Sequence, residues 1–335
     1  MGLSVDSTRF TVQARQAGVS FRHTLALGQQ HMMVGPERIE SLLREHGAWP
    51  PATGEAACRA ALRGNGWRFA EFMRALGAER VDALDASTYE GAALVHDLNQ
   101  PIPPELESLY DVVVDGGTLE HVFNFPVAIA NCIRMLKPGG HLLLFMPANN
   151  NCGHGFYQFS PELLYRVLSP ENGCEVRRMV MLEEGAMISS LFGVKYPFCF
   201  AGPWHEVNDP AAIRQRVNLI NALPTALLVL ARRNSVVTPF HTTPQQSDYV
   251  PQWVQGAANQ PMAQSSGGGR VEAWLRARFN ETFCRETLPR LALLLDPFRF
   301  SRGRRQFSFA NRTYFRPTDK AATPKPAPAQ PKSEH

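Results

Sequence analysis

Long apolar segments are scarce in this chain of 335 residues. The longest, ALPTALLVLA at 222–231, is shorter than the ~20 residues that a helix needs to cross a lipid bilayer. The first residues, MGLSVDSTRF, carry no basic segment followed by an apolar one, so we expect no signal peptide. We therefore predict a protein that has no membrane span and works in the cytoplasm.

Cysteine pairs are missing as well. The chain has six cysteines, and no two of them form the Cys-x-x-Cys spacing of redox and zinc sites. Scattered cysteines are typical of small buried side chains in a reducing compartment. We therefore expect no disulfides, and since no other metal-ligand spacing occurs we expect no metal site. The six are Cys58, Cys132, Cys152, Cys174, Cys199 and Cys284.

Neither sign of charge dominates: the chain has 34 Lys and Arg residues and 30 Asp and Glu residues, which give a net charge of +4. Such a mild excess does not indicate a nucleic-acid partner. One stretch, 298–316, combines six arginines with six aromatic residues and could contact an anionic surface. We interpret it instead as a strand or hairpin that packs its aromatic side chains on the main domain. Nothing in the sequence indicates the oligomeric state.

Strand-like and helix-like stretches alternate from about 21 to 233, which predicts a doubly wound, mostly parallel α/β sheet. Runs that are apolar on both faces, such as 142–145, fit central strands covered by helices. Helices are predicted over 125–137 and over 160–168, where Ser160 is the expected N-cap. The seven predicted strands are 23–27, 80–84, 92–95, 111–114, 141–146, 175–182 and 225–231.

The remaining segments differ from this main domain in composition. A stretch rich in Pro, Gln, Ser and Gly predicts an irregular linker, and a helical stripe of apolar residues follows it. A tail rich in Pro and Lys cannot build a core and should be disordered. The predicted organisation is an N-terminal segment 1–20, the main domain 21–233 with an insertion at 48–66, the linker 234–270, a helical and basic-aromatic extension 271–316, and a disordered tail 317–335.

One composite pattern lies within 110–147, YDVVVDGGTLEHVFNFPVAIANCIRMLKPGGHLLLFMP. An aromatic-Asp pair opens a strand, a Leu-Glu-His-Val turn follows, and a helix ends in Leu-Lys-Pro-Gly-Gly before the next strand. In this order and spacing the segment resembles the second half of a class I S-adenosylmethionine-dependent methyltransferase. The resemblance covers roughly 21–233 and implies a Rossmann-like methyltransferase sheet of seven strands with a C-terminal helical extension. It also implies S-adenosylmethionine as the cofactor.

The resemblance implies roles for residues that follow three of the predicted strands. Asp85 matches the acid that accepts hydrogen bonds from both ribose hydroxyls, and Asp97 matches the acceptor for the adenine amino group, with Leu98 beside the ring. Asp115, Gly116 and Gly117 would border the cofactor, because ligands of open α/β sheets bind outside the carboxyl ends of the strands. The alternatives are surface aspartates, helix caps and a tight turn.

The first strand departs from the family pattern. A Gly-x-Gly-x-Gly loop is expected after it, but LALGQQ at 25–30 offers only Gly28 followed by Gln29 and a second glutamine. We expect Gly28 and Gln29 to contact the cofactor if this turn is a rebuilt loop. The GNG at 64–66 is a weaker alternative, because no predicted strand precedes it.

Catalytic candidates stand on the same predicted rim. His154 follows the fifth strand in the polar and aromatic loop NNNCGHGFYQF, and Glu120 and His121 follow the fourth. A histidine can take the proton of a nucleophile; packing or capping is the alternative for each. We predict methyl transfer to O or N of a small-molecule acceptor, such as a sugar or secondary metabolite. The alternatives are an inactive methyltransferase-like scaffold, which the missing loop would suit, and an NAD-dependent enzyme.

Overall fold

The structure is a computed structural model that describes residues 2–50, 52–64, 68–184, 202–221, 223–249 and 308–318. Eleven strands and seven α-helices lie in these ranges. The strands are β1 (Gly2–Leu3), β2 (His23–Leu27), β3 (His31–Met32), β4 (Arg80–Asp85), β5 (Leu94–Val95), β6 (Tyr110–Asp115), β7 (Leu136–Pro147), β8 (Cys174–Glu183), β9 (Trp204–Val207), β10 (Thr225–Arg233) and β11 (Phe315–Thr318).

The helices lie between these strands and before β2. They are α1 (Val5–Gln16), α2 (Pro36–Glu45), α3 (Ala52–Arg63), α4 (Arg68–Ala75), α5 (Phe125–Met135), α6 (Pro161–Val167) and α7 (Pro210–Ile213). The predicted caps explain where two of them begin: α5 has a proline in its first turn, and the Ser160 side chain accepts a hydrogen bond from Leu163 N–H at the start of α6.

Nine of the strands form one sheet in the order β11-β9-β8-β10-β7-β6-β2-β4-β5. The five strands from β7 to β5 are parallel, and β10 runs antiparallel between β7 and β8. The parallel part follows the order 3-2-1-4-5 of a doubly wound sheet, in which the chain changes direction between β2 and β6. That point positions a ligand site.

The predicted count of seven strands is wrong for the described residues. Seven strands of the sheet do lie at the predicted positions, but β9 and β11 extend it beyond β8. Strand β11 also continues to Thr318, two residues into the predicted tail. Short edge strands have weak sequence signals, because their pairing partner and not their own pattern makes them strands.

Both faces of the sheet are covered, as the apolar strands predict. On β6, Tyr110 and Val113 belong to the apolar core on one face, and Val112 and Val114 belong to the core on the other. Helix α5 packs on the first face, whereas α1, α2 and α4 contribute to the second. Full burial of such side chains contributes roughly 1.5–3 kcal/mol each.

The predicted N-terminal segment is part of this fold. Asp6 in α1 accepts a hydrogen bond of 2.6 Å from the Trp204 indole in β9. The buried Arg178 of β8 donates to Gln13 of α1, to Glu206 of β9 and to Thr318 of β11. These contacts attach α1 and the two edge strands to the sheet, because the buried Asp6 carboxylate and the buried Arg178 guanidinium need partners.

The predicted insertion forms helix α3, and the crossover from β2 to β4 holds three helices in all. In the linker, the described part 234–249 holds no strand and no helix longer than one residue. In the basic-aromatic segment, Phe309 stacks on His205 with ring centroids 4.2 Å apart, so its described part packs on the sheet. The predicted helix at 271–296 lies outside the described residues. No described helix is long and apolar enough to cross a membrane.

His141 makes the stability of this sheet depend on pH. Burial, with the charges of Arg232 and Arg177 beside it, lowers the pKa of His141 from 6.5 to about 4. The unfolded chain therefore binds the proton first, and stability falls as the pH falls from 6.5 to 4. We expect this residue to account for a loss of about 2 kcal/mol, less than the full shift implies because the ring is partly exposed.

Urea denaturation at pH 7.0, 5.5 and 4.5 measures this effect. The variant His141→Gln should lose less stability than the wild type between the highest and the lowest pH, because it cannot bind the proton. Parallel pH profiles of the two proteins would contradict the assignment.

Candidate functional site at the carboxyl ends of the parallel strands

The turn after β2 and the turn after β6 lie side by side. Leu27 pairs with Asp115 in the register of the two strands, and the Thr118 hydroxyl donates a 2.7 Å hydrogen bond to Leu27 O. Gly28 has φ +69°, and its N–H donates to Leu84 O of β4 at 2.7 Å. The left-handed backbone at Gly28 thus lets the turn after β2 lie between the ends of β4 and β6.

Gln30, and not Gln29, is the glutamine that fills this junction. Its side chain is buried and donates from Nε2 to Leu27 O. Its Oε1 lies against Gly116 so closely that a Cβ there would overlap it. Gln29 is half-buried. Strand β2 is therefore followed by the side chain of Gln30, which packs on Gly116 after β6. The described part of this turn holds no open glycine loop.

Asp115 is fully buried at the end of β6. Its Oδ1 accepts a 2.8 Å hydrogen bond from Thr118 N–H. Burial raises the pKa of Asp115, and the nearby carboxylate of Glu120 raises it further, while the backbone N–H groups of Thr118, Leu119 and Gly117 oppose the shift. Gly117, at φ +107°, allows the sharp turn that brings these amides back onto the carboxylate.

Two buried oxygens at this junction have no hydrogen-bond partner among the described residues. They are Gln30 Oε1 and Asp115 Oδ2. Both are acceptors, and an unsatisfied buried acceptor costs free energy. A positively charged donor group would satisfy them.

Asp85 and Asp97 lie along the same sheet edge. Asp85 ends β4 and is half-buried, and its carboxylate accepts only a long 3.4 Å hydrogen bond from Ser87 N–H. Asp97 follows β5, is exposed, and accepts from the backbone and side-chain amides of Asn99 at 2.9 and 2.8 Å, which lowers its pKa. Leu98 is only 5% exposed and packs in the main core.

The three predicted catalytic residues lie together. Glu120 and His121 belong to the short 3-10 helix Leu119–His121 after β6, and His154 lies in the turn after β7. His154 Nε2 is 3.3 Å from Glu120 Oε1, and the two imidazole centroids are 5.3 Å apart. Glu120 is 1% exposed, whereas both imidazoles reach solvent. Burial raises the pKa of Glu120 and lowers that of His121, with the charge of His154 adding to the latter.

Two features near this cluster were not predicted from the sequence. Phe123 and Phe156 are exposed by 71% and 67% and form an edge-to-face pair with centroids 5.7 Å apart. A cavity of about 150 Å³ lies beyond β7, lined by residues on both sides of the His154 turn, including Asn149, Gln158 and Phe159. Exposed aromatic residues after strand ends are the sequence signal for the first, but their pairing depends on two distant turns.

The acids therefore lie at the carboxyl edge of a doubly wound sheet, which is where ligands of open α/β sheets bind. Residues 64–144 match the family model described as "Methyltransferase domain". The match begins at Gly64 of the GNG, whose other two residues lie outside the described part of the chain. This part of the chain is similar to a methyltransferase domain, which agrees with the resemblance to the class I S-adenosylmethionine-dependent methyltransferases.

Several solved structures are similar to the chain. A methyltransferase of Bacillus halodurans, named as putative, is 14% identical with a TM-score of 0.34, over 67% of this chain and 98% of that one. The 1,6-didemethyltoxoflavin N1-methyltransferase of Burkholderia thailandensis is 13% identical with a TM-score of 0.34, over 68% and 79%. At these scores no conclusion rests on the likeness. A search among curated proteins gives no match.

The residues at the sheet edge fit the cofactor of this class. S-adenosylmethionine carries a ribose diol and a methionine ammonium group. Asp85 offers a carboxylate with free acceptor capacity, as the diol needs. The unpartnered oxygens of Gln30 and Asp115 match the donors of an ammonium group. Gly116 offers no open cradle, because Gln30 and Leu3 already lie against it.

The contact between Gly116 and Gln30 can be tested by adding one methyl group. In Gly116→Ala the new Cβ would overlap Gln30 Oε1 and lie 3.2 Å from Leu3 Cδ1. Overpacking of this kind lowers the free energy of unfolding by about 1–3 kcal/mol. In the double variant with Gln30→Ala we expect much of that loss to be regained. Urea denaturation of the four proteins measures the coupling, and additive losses would show that the two residues do not contact.

Proposed function

We propose that this methyltransferase transfers the methyl group to an oxygen or nitrogen of a small molecule, such as a sugar or a secondary metabolite. The observation that carries the proposal is the arrangement at one sheet edge of a ribose-type acid after β4 and the Glu120–His121–His154 cluster after β6 and β7. The first suits the cofactor and the second suits an acceptor with an exchangeable proton.

The cofactor side of the proposal uses residues at the carboxyl ends of four strands, β2, β4, β5 and β6. Asp85 would hold the ribose, Gln30 and Asp115 the methionine ammonium group, and Asp97 the adenine. Gly28, Gln29, Gly116 and Gly117 would form the backbone around it, and Leu98 would support the adenine side from the core. When bound, S-adenosylmethionine supplies an electrophilic methyl group on a sulfonium centre. The protein then has to orient the acceptor and let its proton leave.

The acceptor side of the proposal is the rim between the turns after β6 and β7. A reacting O–H or N–H loses its proton on methylation, and Glu120, His121 and His154 are groups on this rim that could favour that loss. The exposed rings of Phe123 and Phe156 offer apolar faces on which a sugar or an aromatic ring can stack. The cavity beyond β7 would take the rest of a small acceptor.

Calorimetry tests the cofactor assignment most directly. We expect S-adenosylmethionine and S-adenosylhomocysteine to bind the full chain, and NAD not to bind. Heat of binding with NAD and none with either sulfur compound would overturn the proposal.

Replacing Asp85 tests the ribose site. Asp85→Asn should weaken the binding of S-adenosylhomocysteine about ten- to a hundredfold, because a charge-assisted hydrogen bond contributes roughly 1.5–3 kcal/mol. Its melting temperature should stay that of the wild type, since among the described residues the carboxylate accepts one long hydrogen bond, from Ser87 N–H. The matched control is Glu105→Gln, an exposed acid before β6 at the other end of the strand. Equal affinities for both variants would make Asp85 a surface residue.

A further inference from the structure

We infer that Glu120, His121 and His154 form a binding site for a divalent transition-metal ion. Each side chain offers one ligand atom, and the three ligand atoms lie within 4.8 Å of one another. Two imidazoles and one carboxylate are the ligand set that zinc and neighbouring first-row ions take in open sites. The sequence predicts no metal site, because His121 and His154 are 33 positions apart and form no metal-ligand spacing.

The carboxylate of Glu120 is buried and incompletely hydrogen-bonded, as a metal ligand would be in the absence of its ion. Glu120 is 1% exposed, and its Oε2 has no hydrogen-bond partner among the described residues. Its Oε1 has His154 Nε2 at 3.3 Å. A buried carboxylate with an unsatisfied oxygen is costly, and an ion bound by the carboxylate would lower that cost by balancing its charge.

The distances suit an ion after small side-chain movements. Ligands at 2.0–2.1 Å from zinc in a tetrahedral site lie about 3.4 Å apart. The distance from Glu120 Oε1 to His154 Nε2 is 3.3 Å, close to this value. Since no two of the ligand atoms are more than 4.8 Å apart, no pair has to move closer by more than about 1.4 Å. Both imidazoles are exposed and can rotate, whereas the buried carboxylate is held in place. A fourth position, on the solvent side, would remain open.

The backbone holds the two halves of this site together. Glu120 O accepts hydrogen bonds from Phe156 N–H at 2.7 Å and from Tyr157 N–H at 3.3 Å. Tyr157 Oη donates to Phe123 O at 2.6 Å. Gly155 has φ +73°, and a Cβ there would lie 2.7 Å from Glu120 O. Only glycine permits this approach, so the chain brings the histidine-bearing turn onto Glu120 independently of any ion.

The inference deepens the proposed function for the acceptor. An ion with an open position binds an oxygen ligand and lowers the pKa of its proton, so an acceptor hydroxyl bound there would release its proton to water. The histidine lone pairs would then serve the ion and would not take the proton. The site favours an acceptor with a hydroxyl that can coordinate a metal, and an amine acceptor would gain less.

Titration of the metal-free full chain with Zn²⁺ and Co²⁺, without cofactor or acceptor, tests the ion site alone. We expect one ion per chain by calorimetry and a visible absorption band with Co²⁺. Glu120→Gln, His121→Ala and His154→Ala should each weaken binding about tenfold or more. The exposed His241→Ala, outside the cluster, should bind as the wild type does. Mg²⁺, which prefers oxygen ligands, should bind far more weakly.

His154→Ala decides the outcome if the variant of the buried Glu120 fails to fold, because the His154 side chain is 59% exposed and its removal should leave the melting temperature unchanged. An absence of ion binding in the wild type would overturn the inference. So would equal binding by the wild type, His121→Ala and His154→Ala. Because these titrations contain no cofactor, their failure is distinct from a failure of S-adenosylmethionine to bind.

Discussion

The parallel pairing of β2 with both β4 and β6 is the constraint on which the rest of the structure depends. It sets the point at which the strand order reverses, between β2 and β6. At such a point ligands of open α/β sheets bind beyond the carboxyl ends of the strands. The turns after β2 and β6 contact each other at this edge, where Leu27 O accepts hydrogen bonds from both Gln30 and Thr118. The residues proposed to contact the cofactor or the acceptor lie at the ends of these parallel strands or in the turns that follow them.

The turn after β2 differs from the glycine-rich loop that the resemblance leads one to expect. A glycine-rich loop binds a ligand through backbone amides, which are donors. This chain places a glutamine side chain there, and its free oxygen is an acceptor. In the proposed function such a site would favour the ammonium group of the cofactor over its carboxylate. The parallel pair β1–β3 lies beside it, because Leu3 contacts Gly116, so the N-terminal segment is part of the same structure.

The acceptor side combines one buried acid with exposed rings. Glu120 is held by the core, while His121, His154, Phe123 and Phe156 face outward. A fixed charge with movable partners suits either proton transfer or metal ligation, since both need one rigid group and access from solvent. The aromatic pair beside it provides the apolar contact that small polar acceptors otherwise lack.

The sequence by itself determined where most strands of the main domain lie along the chain. Runs such as Val112–Val114 are apolar on both faces, as expected for strands that helices cover on each side. Ser160 marks the start of a helix that the structure confirms. The pattern at 110–147 also pointed to the methyltransferase family. These signals are local, because periodicity and capping depend on neighbours in the chain.

Only the tertiary structure decided which distant residues meet. Strands β9 and β11 exist because β8 and β9 offer them an edge, and neither has a strong pattern of its own. The packing of Gln30 on Gly116 and the approach of His154 to Glu120 join turns separated by 86 and 34 positions. No local pattern encodes such pairs, since they follow from how the parallel strands align. The sequence therefore specified the candidates for this site, and the packing of the sheet specified their partners.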